Sequence, residues 1–339
     1  MQSSRSPNSL FALGLLPLAL AMADVAVAQT PPAPPEQKST PVRLVDALNG
    51  VFGQHPGARA VHAKGIVLEG AFTPSRSAHT VSTAPHLQKA AVPVVVRFSD
   101  FAGIPDIADN HALAAPRGLA VKFTLPGGAT TDIVSHAFNG FPSPTTDDFH
   151  DLLIALGSSG PNVPKPTPLD TYLGSHPAAK AFLTAPKPEP VSYGSLPYFG
   201  VNTFKFVNAK GVVTYGRYQI RPVGGEQYLS DADAAKAAPD YLQTEMRGHV
   251  AKAPIKFKLV LQIAAPDDKL DDPSIAWPDT RRTVELGTLS ITKAVADSDA
   301  AQRKLLFQPN ALPAGIEVED PMVNARAAAY GVSFGRRQQ

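Results

Sequence analysis

Eight short segments of this chain are apolar throughout or alternate apolar with polar residues, and Gly, Pro, Asn and Asp residues separate them. Runs of this length between turn residues are typical of β-strands, and eight of them favour a closed antiparallel β-barrel. A hairpin turn is predicted at residues 208–211, between the fifth strand and the sixth. The predicted strands cover residues 63–71, 92–99, 118–125, 131–136, 200–207, 212–221, 255–264 and 284–292.

Helical patterns are interleaved with these strands and continue after the last one. Thr145 can cap one of these helices, because Asp147 and Asp148 follow it in the first turn. The barrel with its surrounding helices predicts an α+β fold. The predicted helices cover residues 41–52, 145–156, 168–183, 230–249, 298–305 and 320–331.

The composition limits the kinds of site that the chain can build. With 339 residues, of which 44% are hydrophobic and 18% charged, it can bury a large core. It has no cysteine, which excludes disulfides, thiolate metal sites and a cysteine nucleophile. The formal net charge of +2 gives no argument for nucleic-acid binding. Iron, if bound, would need histidine, tyrosine or carboxylate ligands.

The first residues have the pattern of a secretory signal peptide. Residues 11–22 are apolar, Arg5 precedes them, and small residues end at Ala28. The apolar run is too short to span a bilayer, so no membrane span is expected after cleavage. We predict a signal peptide over residues 1–28, cleaved after Ala28, and a periplasmic protein. A proline-rich linker over residues 29–40 would lead into a single domain over residues 41–339.

Near the end of the chain, Arg326 and Tyr330 are four residues apart in a helical pattern that Asn324 can cap and Gly331 can stop. They should therefore share one face. A guanidinium beside a phenol favours the phenolate, which is a hard ligand suited to ferric iron, and tyrosine is a known haem ligand. The alternative is a surface helix with an ordinary Arg/Tyr pair.

A second group of polar residues lies around the first two predicted strands. His62 stands at the entrance to the first strand, and Arg59 precedes it by three residues. In the second strand Arg97 and Ser99 project to one face, because successive side chains alternate. A charge and a hydroxyl on one face of an apolar strand need a polar partner there. Taken singly, His62 could be a structural histidine and Arg97 a solvated edge residue.

Several segments together resemble the haem-containing catalase family in order and spacing. They include Arg97 to Gly103, Pro116 to Phe123 and Asp132 to Val134, and Arg59 to Gly65 resembles the family's distal-histidine motif. Further family signatures are matched at residues 202–211, 229–235 and 307–317. Arg326 to Tyr330 matches the proximal Arg-x-x-x-Tyr. The resemblance covers roughly residues 41–336 and is greater to the small exported catalase-related peroxidases than to full-length catalases.

The resemblance implies a haem b between the barrel and the C-terminal helix. Tyr330 would be the axial iron ligand and Arg326 its charge partner. Arg59 and Arg97 would bind the haem propionates, since a guanidinium can pair with a carboxylate through two hydrogen bonds. Phe149 falls where the family stacks an aromatic ring over the porphyrin, although a core phenylalanine is an equal alternative.

On the distal side the resemblance assigns catalysis to His62, which would move a proton between the two peroxide oxygens. Ser99 would orient this histidine. The chain departs from the family where a distal asparagine is usual, because His136 occupies that register. Asn139 could replace it only if the strand bulged. Phe101 also stands where the family has a small channel residue.

The resemblance implies an exported haem peroxidase that reduces hydrogen peroxide or organic peroxides and oxidises small organic reductants. The alternatives are a catalase that disproportionates hydrogen peroxide, a haem carrier or sensor with little turnover, and an enzyme that rearranges fatty-acid hydroperoxides. NADPH is not expected to bind, because its pocket depends on an extra domain of the long catalases. The oligomeric state stays open, with a homo-oligomer among the alternatives.

Overall fold

The computed structural model describes residues 38–339. The predicted signal peptide and most of the predicted linker lie outside the described residues. The first helix begins at Thr40, so the last residue assigned to the linker is helical. Within residues 38–339, no helix combines the length and apolar character needed to cross a membrane.

All eight predicted strands are present. A short ninth strand, β9, was missed and pairs with β5. The strands are β1 (Gly65–Pro74), β2 (Val92–Ser99), β3 (Gly118–Thr124), β4 (Thr130–His136), β5 (Tyr198–Val207), β6 (Val213–Pro222), β7 (Ile255–Ile263), β8 (Thr283–Ala294) and β9 (Ile316–Val318).

The first eight strands form a closed antiparallel barrel. Their order is β4-β3-β2-β1-β8-β7-β6-β5, and the pairing of His136 with Phe199 joins β4 to β5. Alternate residues of the strands contribute to one buried apolar cluster, as expected for a small barrel filled by side chains. In β2 these are Val94, Val96 and Phe98. The opposite face of β2 is therefore free to line a site outside the barrel.

The helices are α1 (Thr40–Phe52), α2 (Thr146–Gly157), α3 (Pro168–Ser175), α4 (Pro177–Thr184), α5 (Asp231–Ala234), α6 (Tyr241–Val250), α7 (Ser298–Lys304) and α8 (Met322–Arg337). Two predictions of a single helix were wrong, at residues 168–183 and 230–249. The first breaks before Pro177 and the second before Pro239, because the residue preceding a proline disfavours the α conformation. Thr145 caps α2 as predicted, accepting from the Asp148 backbone N–H.

The bounds predicted for the last helix were also wrong. Asn324 does not cap it; the Asp320 carboxylate accepts from the Met322 N–H at 2.9 Å instead. The helix passes through Gly331 and continues to Arg337. A helical glycine costs about 1 kcal/mol relative to alanine. Contacts of the last turns offset that cost, including the Arg336–Asp46 ion pair to α1 at 2.7 Å.

Candidate active site

A cavity lies between the outer face of strands β2 to β4 and helices α1, α2 and α8. The space between its walls is about 1380 Å³, part of it open to solvent. All eight residues singled out from the sequence line it: Arg59, His62, Arg97, Ser99, His136, Phe149, Arg326 and Tyr330. The remaining walls are largely apolar.

Strand register aligns a polar residue of β2 with one of β4 on either side of a glycine in β3. Ser99 pairs with Gly118, and Gly118 pairs in turn with His136. Arg97 and Ser99 face the cavity while Phe98 faces the barrel core, so the predicted alternation is confirmed. Neighbouring strands are roughly 4.8 Å apart, which places the Cα atoms of Ser99 and His136 about 10 Å from each other.

His62 is held in a conformation that is unusual for its residue type. Its φ is +56°, the left-handed region, which costs about 1–3 kcal/mol outside glycine and persists only where surrounding contacts impose it. Its N–H donates to the Phe101 carbonyl at 2.7 Å. Its Nδ1 lies 3.0 Å from the Asp100 carbonyl and 3.1 Å from Ser99 Oγ. Because a carbonyl only accepts, Nδ1 carries the proton and Nε2 keeps a lone pair.

Gly118 creates the space that the His62 ring occupies. A Cβ on this residue would lie 2.6 Å from Ser99 Oγ and 2.7 Å from His62 Nδ1, both closer than real Cβ contacts. Any larger residue would therefore separate the serine from the histidine. Residues 116–123 carried part of the resemblance, yet the requirement for glycine at this position was not predicted.

Both cavity histidines are neutral. Burial lowers the pKa of His62 to about 3, and the charges of Arg97 and Arg326 act in the same direction. Burial likewise lowers the pKa of His136 to about 3, again with help from Arg326. A neutral imidazole can accept a proton and release it again, as an acid/base residue must.

His136 has no hydrogen-bond partner for either ring nitrogen within residues 38–339, although both atoms are buried. Its ring makes an edge contact with Phe182 at 6.2 Å between centroids. Asn139 is not among the residues that line the cavity. Of the two residues considered for the place of the distal asparagine, only His136 faces the cavity. A buried imidazole without partners is suited to a ligand that brings its own donor and acceptor.

On the opposite side, Arg326 and Tyr330 share one face of α8 as predicted. The guanidinium donates to the Tyr330 hydroxyl oxygen through Nε at 3.3 Å and Nη2 at 2.9 Å. Its Nη1 donates to Asn202 Oδ1, and Asn202 Nδ2 donates to Asp320 Oδ2 at 2.7 Å. These hydrogen bonds hold the Arg326 guanidinium in place while its other nitrogens donate to Tyr330. The part played by Asn202 and Asp320 was missed, because residues so distant in sequence meet only in the fold.

Three arginines share hydrogen-bond acceptors at the cavity wall without any acidic partner. Arg59 donates to the Gln302 backbone carbonyl and Arg97 to Gln302 Oε1, while Arg59 and Arg337 both donate to the Leu305 carbonyl. None of the three forms an ion pair within the described part of the chain. Burial lowers the pKa of Arg97 and of Arg337 to about 10. Unpaired buried charges are costly, so these guanidiniums fit a ligand with carboxylates.

Arg337 was missed by the sequence analysis for an identifiable reason. It follows Tyr330 by seven residues, which is nearly two full helical turns and therefore the same face. The prediction ended this helix at Gly331, so the arginine was left outside it. Its side chain is 7% exposed and lines the cavity.

Comparison with known proteins agrees with this architecture. The sequence model of the family described as Catalase matches residues 44–337. A catalase-related peroxidase of Mycolicibacterium paratuberculosis is 37% identical over 304 residues, which cover 88% of this chain and 95% of that protein. A catalase-related peroxidase of Synechococcus elongatus is 32% identical over 307 residues, with 88% of each protein covered.

Solved structures show the same fold. A fungal catalase superposes with a TM-score of 0.74 at 21% identity, covering 87% of this chain and 62% of that one. Catalase A from Saccharomyces cerevisiae gives 0.73 at 19% identity, with 87% and 64% covered. The chain thus spans less than two thirds of either solved catalase. Its fold is the barrel of these catalases. By the family match and the two relatives, the chain belongs to the catalase family.

Proposed function

We propose that this protein is a haem b peroxidase that reduces hydrogen peroxide or organic peroxides and oxidises small organic reductants. The observation that carries the proposal is one cavity in which the Arg326–Tyr330 pair and the His62–Ser99 pair both take part. Relatives named catalase-related peroxidase, matching over most of the chain, support peroxidase activity.

The donor set of the cavity fits a haem. Tyr330 would ligate the iron as phenolate, with Arg326 stabilising its charge. The guanidiniums of Arg59, Arg97 and Arg337 would bind the propionates, and Phe149 would contact the porphyrin face. When bound, haem supplies two electrons to the peroxide bond and regains them from reductants. A haem carrier would need the iron ligand but neither His62 nor Ser99.

The distal residues of this chain perform the proton transfer. Nε2 of His62 takes a proton from one peroxide oxygen and returns it to the other, which leaves as water. Ser99 and the Asp100 carbonyl hold Nδ1, so that Nε2 points to the cavity. The apolar walls exclude water that would compete for these hydrogen bonds.

Spectroscopy and two activity assays test this function. Addition of haem to the purified protein should give a saturable absorption spectrum of a tyrosinate-ligated haem. Peroxide should then drive oxidation of an aromatic dye much faster than it releases oxygen. Oxygen release comparable with that of a full-length catalase would instead establish the catalase alternative. Haem binding with neither activity would establish a carrier or sensor.

His136 should determine how peroxide turnover divides between dye oxidation and oxygen release. Catalase turnover needs a second peroxide held by two well-placed polar groups, and here one of those groups is altered. We expect His136→Asn to raise oxygen release relative to dye oxidation by severalfold, because the amide offers a fixed donor. An oxygen electrode and a dye assay on the same preparation measure the ratio. An unchanged or lower ratio would remove His136 from this role.

The proposal includes export to the periplasm, with cleavage after Ala28. Its support is the coincidence of the apolar run at residues 11–22 with small residues before Gln29. Protein recovered from the envelope fraction should begin at Gln29 when its N-terminus is sequenced. A replacement of Ala28 by Arg should leave the precursor uncleaved. Intact Met1 on the wild-type protein in that fraction would contradict the proposal.

A further inference from the structure

Arg97 makes contacts with the backbone at His62 that binding of a ligand carboxylate does not require. Its Nη2 donates to the His62 carbonyl at 2.9 Å and to the Ala63 carbonyl at 3.0 Å. Among the described residues, no other group donates to either carbonyl. Hydrogen bonds from a charged donor are roughly twice as strong as neutral ones. The guanidinium therefore holds two successive peptide groups at the histidine.

These contacts act on a strained part of the backbone. His62 has a φ of +56°, and such a conformation persists only where the surrounding structure imposes it. The Phe101 carbonyl accepts from its N–H, while Ser99 and the Asp100 carbonyl hold its ring. Arg97 supplies the remaining restraint, on the carbonyl side. The ring and the backbone of His62 are thus both held by β2 and the residues that directly follow it.

Gln302, in α7, fixes the orientation of the Arg97 guanidinium. Its Oε1 accepts from Nε at 3.1 Å and from Nη2 at 2.9 Å. Its Nε2 donates to Asp299 Oδ1 at 2.7 Å, which determines that the oxygen of the amide faces the arginine. Nη1 of Arg97 makes no hydrogen bond within residues 38–339, and the side chain lines the cavity. That nitrogen is left for a ligand.

Gly65 leaves the space in which the guanidinium reaches the histidine backbone. A Cβ on this residue would lie 2.6 Å from Arg97 Nη2 and 2.8 Å from its Cζ, both closer than real Cβ contacts. Gly65 begins β1 and pairs with Ser99 of β2, so the strand register produces this close approach. The placement of the guanidinium at the histidine backbone thus depends on glycine at this position.

We propose that Arg97 is a positioning residue for His62 as well as a residue that binds a ligand carboxylate. Its Nη2 holds the backbone of the histidine, while its Nη1 is left for the carboxylate. Because the guanidinium is planar and rigid, a shift of one nitrogen moves the other. The position of His62 is thereby coupled to carboxylate binding at the cavity wall. The effect of this coupling on peroxide turnover rests on the proposed function.

Arg97→Lys tests the proposal, because lysine keeps the positive charge but has one nitrogen in place of the rigid fork. A single ammonium nitrogen cannot occupy the positions of Nη1 and Nη2 together. Gln302→Met is the second variant, since it keeps Arg97 and removes the oxygen that fixes it. Gln302 is only partly buried, so this variant should fold even if Arg97→Lys does not.

The matched control is Arg217→Lys. Arg217 is a buried arginine of β6 that donates to the Ile275 carbonyl at 2.7 Å and to the Asp272 carbonyl at 2.9 Å. It also holds backbone through its guanidinium, but it does not line the cavity. Any effect that follows merely from replacing a buried arginine should therefore appear in this variant too.

Nitrogen-15 NMR of the purified protein, before haem is added, reports on His62 directly. The hydrogen bond to the Asp100 carbonyl places the ring proton on Nδ1, and comparison with His62→Ala identifies its signal. We expect Arg97→Lys to lose this signal, because a ring that is no longer positioned exchanges between tautomers. Gln302→Met should weaken the signal, and Arg217→Lys should leave it unchanged.

Kinetics of the haem-loaded protein test the consequence for the reaction. The peroxide rate of Arg97→Lys should fall about 10²-fold, the loss that a displacement of roughly 1 Å can cause. Its haem affinity should fall by a smaller factor, since the ammonium still supplies a charge for a carboxylate. Gln302→Met should show a smaller loss of rate, and Arg217→Lys none.

The proposal is overturned if the wild-type signal of His62 persists in Arg97→Lys, or in Gln302→Met where Arg97→Lys does not fold. Loss of the signal in Arg217→Lys would overturn it as well, and so would an Arg97→Lys variant with weaker haem binding and an unchanged peroxide rate. The NMR result needs neither haem nor peroxide, so it stands even if the protein proves to be no peroxidase. Failure of the wild-type protein to bind haem would instead overturn the proposed function alone.

Discussion

Tyr330→Phe should abolish most haem retention, which is the largest effect we expect from any single substitution. The change removes only the hydroxyl oxygen, which is the proposed iron ligand and the acceptor of two Arg326 hydrogen bonds. Phenylalanine keeps the ring and its packing in α8, so the fold should persist. Haem titration followed by gel filtration measures the retained fraction. The protein should elute essentially free of haem.

Two companion variants define the specificity of that result. Arg326→Ala should weaken haem binding by roughly 10–100-fold, as is usual when a partner of a metal ligand is removed. Tyr228→Phe removes a hydroxyl from an exposed tyrosine that does not line the cavity, and this variant should bind haem as the wild-type protein does. Full haem occupancy with an unchanged spectrum in Tyr330→Phe would disprove the assignment of this residue as the ligand.

His62→Ala should keep haem but lose about 10²–10⁴-fold in its rate of reaction with peroxide, the usual contribution of a positioned acid/base residue. The reason is that Nε2 is the proposed carrier of the proton between the two peroxide oxygens. Stopped-flow mixing of the haem-loaded variant with peroxide measures this rate. Ser99→Ala should lose less, since the Asp100 carbonyl still holds Nδ1 at 3.0 Å.

The control for this experiment is His249→Ala. His249 is an exposed residue of α6 that pairs with Glu245 and does not line the cavity. Its replacement should leave the peroxide rate unchanged. A wild-type rate in His62→Ala would transfer the proton-transfer role to His136, the other neutral imidazole at the cavity. The double variant would then be the slow one.

Local sequence patterns were sufficient for the strands and for the face of each strand. Alternation in β2 placed Phe98 in the barrel and Arg97 with Ser99 outside it, because successive side chains of a strand point to opposite sides. The turn at residues 208–211 was also predicted, where Gly211 adopts a φ of +75°. These features depend on residues that are close in the chain.

Helix ends and one strand needed information from the rest of the fold. Gly331 is a stop signal by its intrinsic preference, yet α8 continues because its last turns contact α1 and the Leu305 carbonyl. Only this continuation brings Arg337 into the cavity. β9 has three residues and pairs with residues 204–206 of β5, a part of the strand that the pairing with β4 at Phe199 leaves free. Neither the continuation of α8 nor the formation of β9 can be predicted from neighbouring residues alone, because tertiary contacts outweigh intrinsic helix and strand propensities.

The sequence by itself determined the barrel, the Arg326–Tyr330 pair on one helix face, and the candidate residues that the family resemblance named. The tertiary structure alone decided that all eight reach one cavity and that His136 and not Asn139 faces it. It also decided that three guanidiniums there have no acidic partner among residues 38–339. The reason is physical: spacing within a helix or strand is set by backbone geometry, whereas contacts across the sheet depend on register. The buried ion pair of Lys64 and Asp109 is of the second kind, because the two residues are far apart in the chain and only the fold places their charges together.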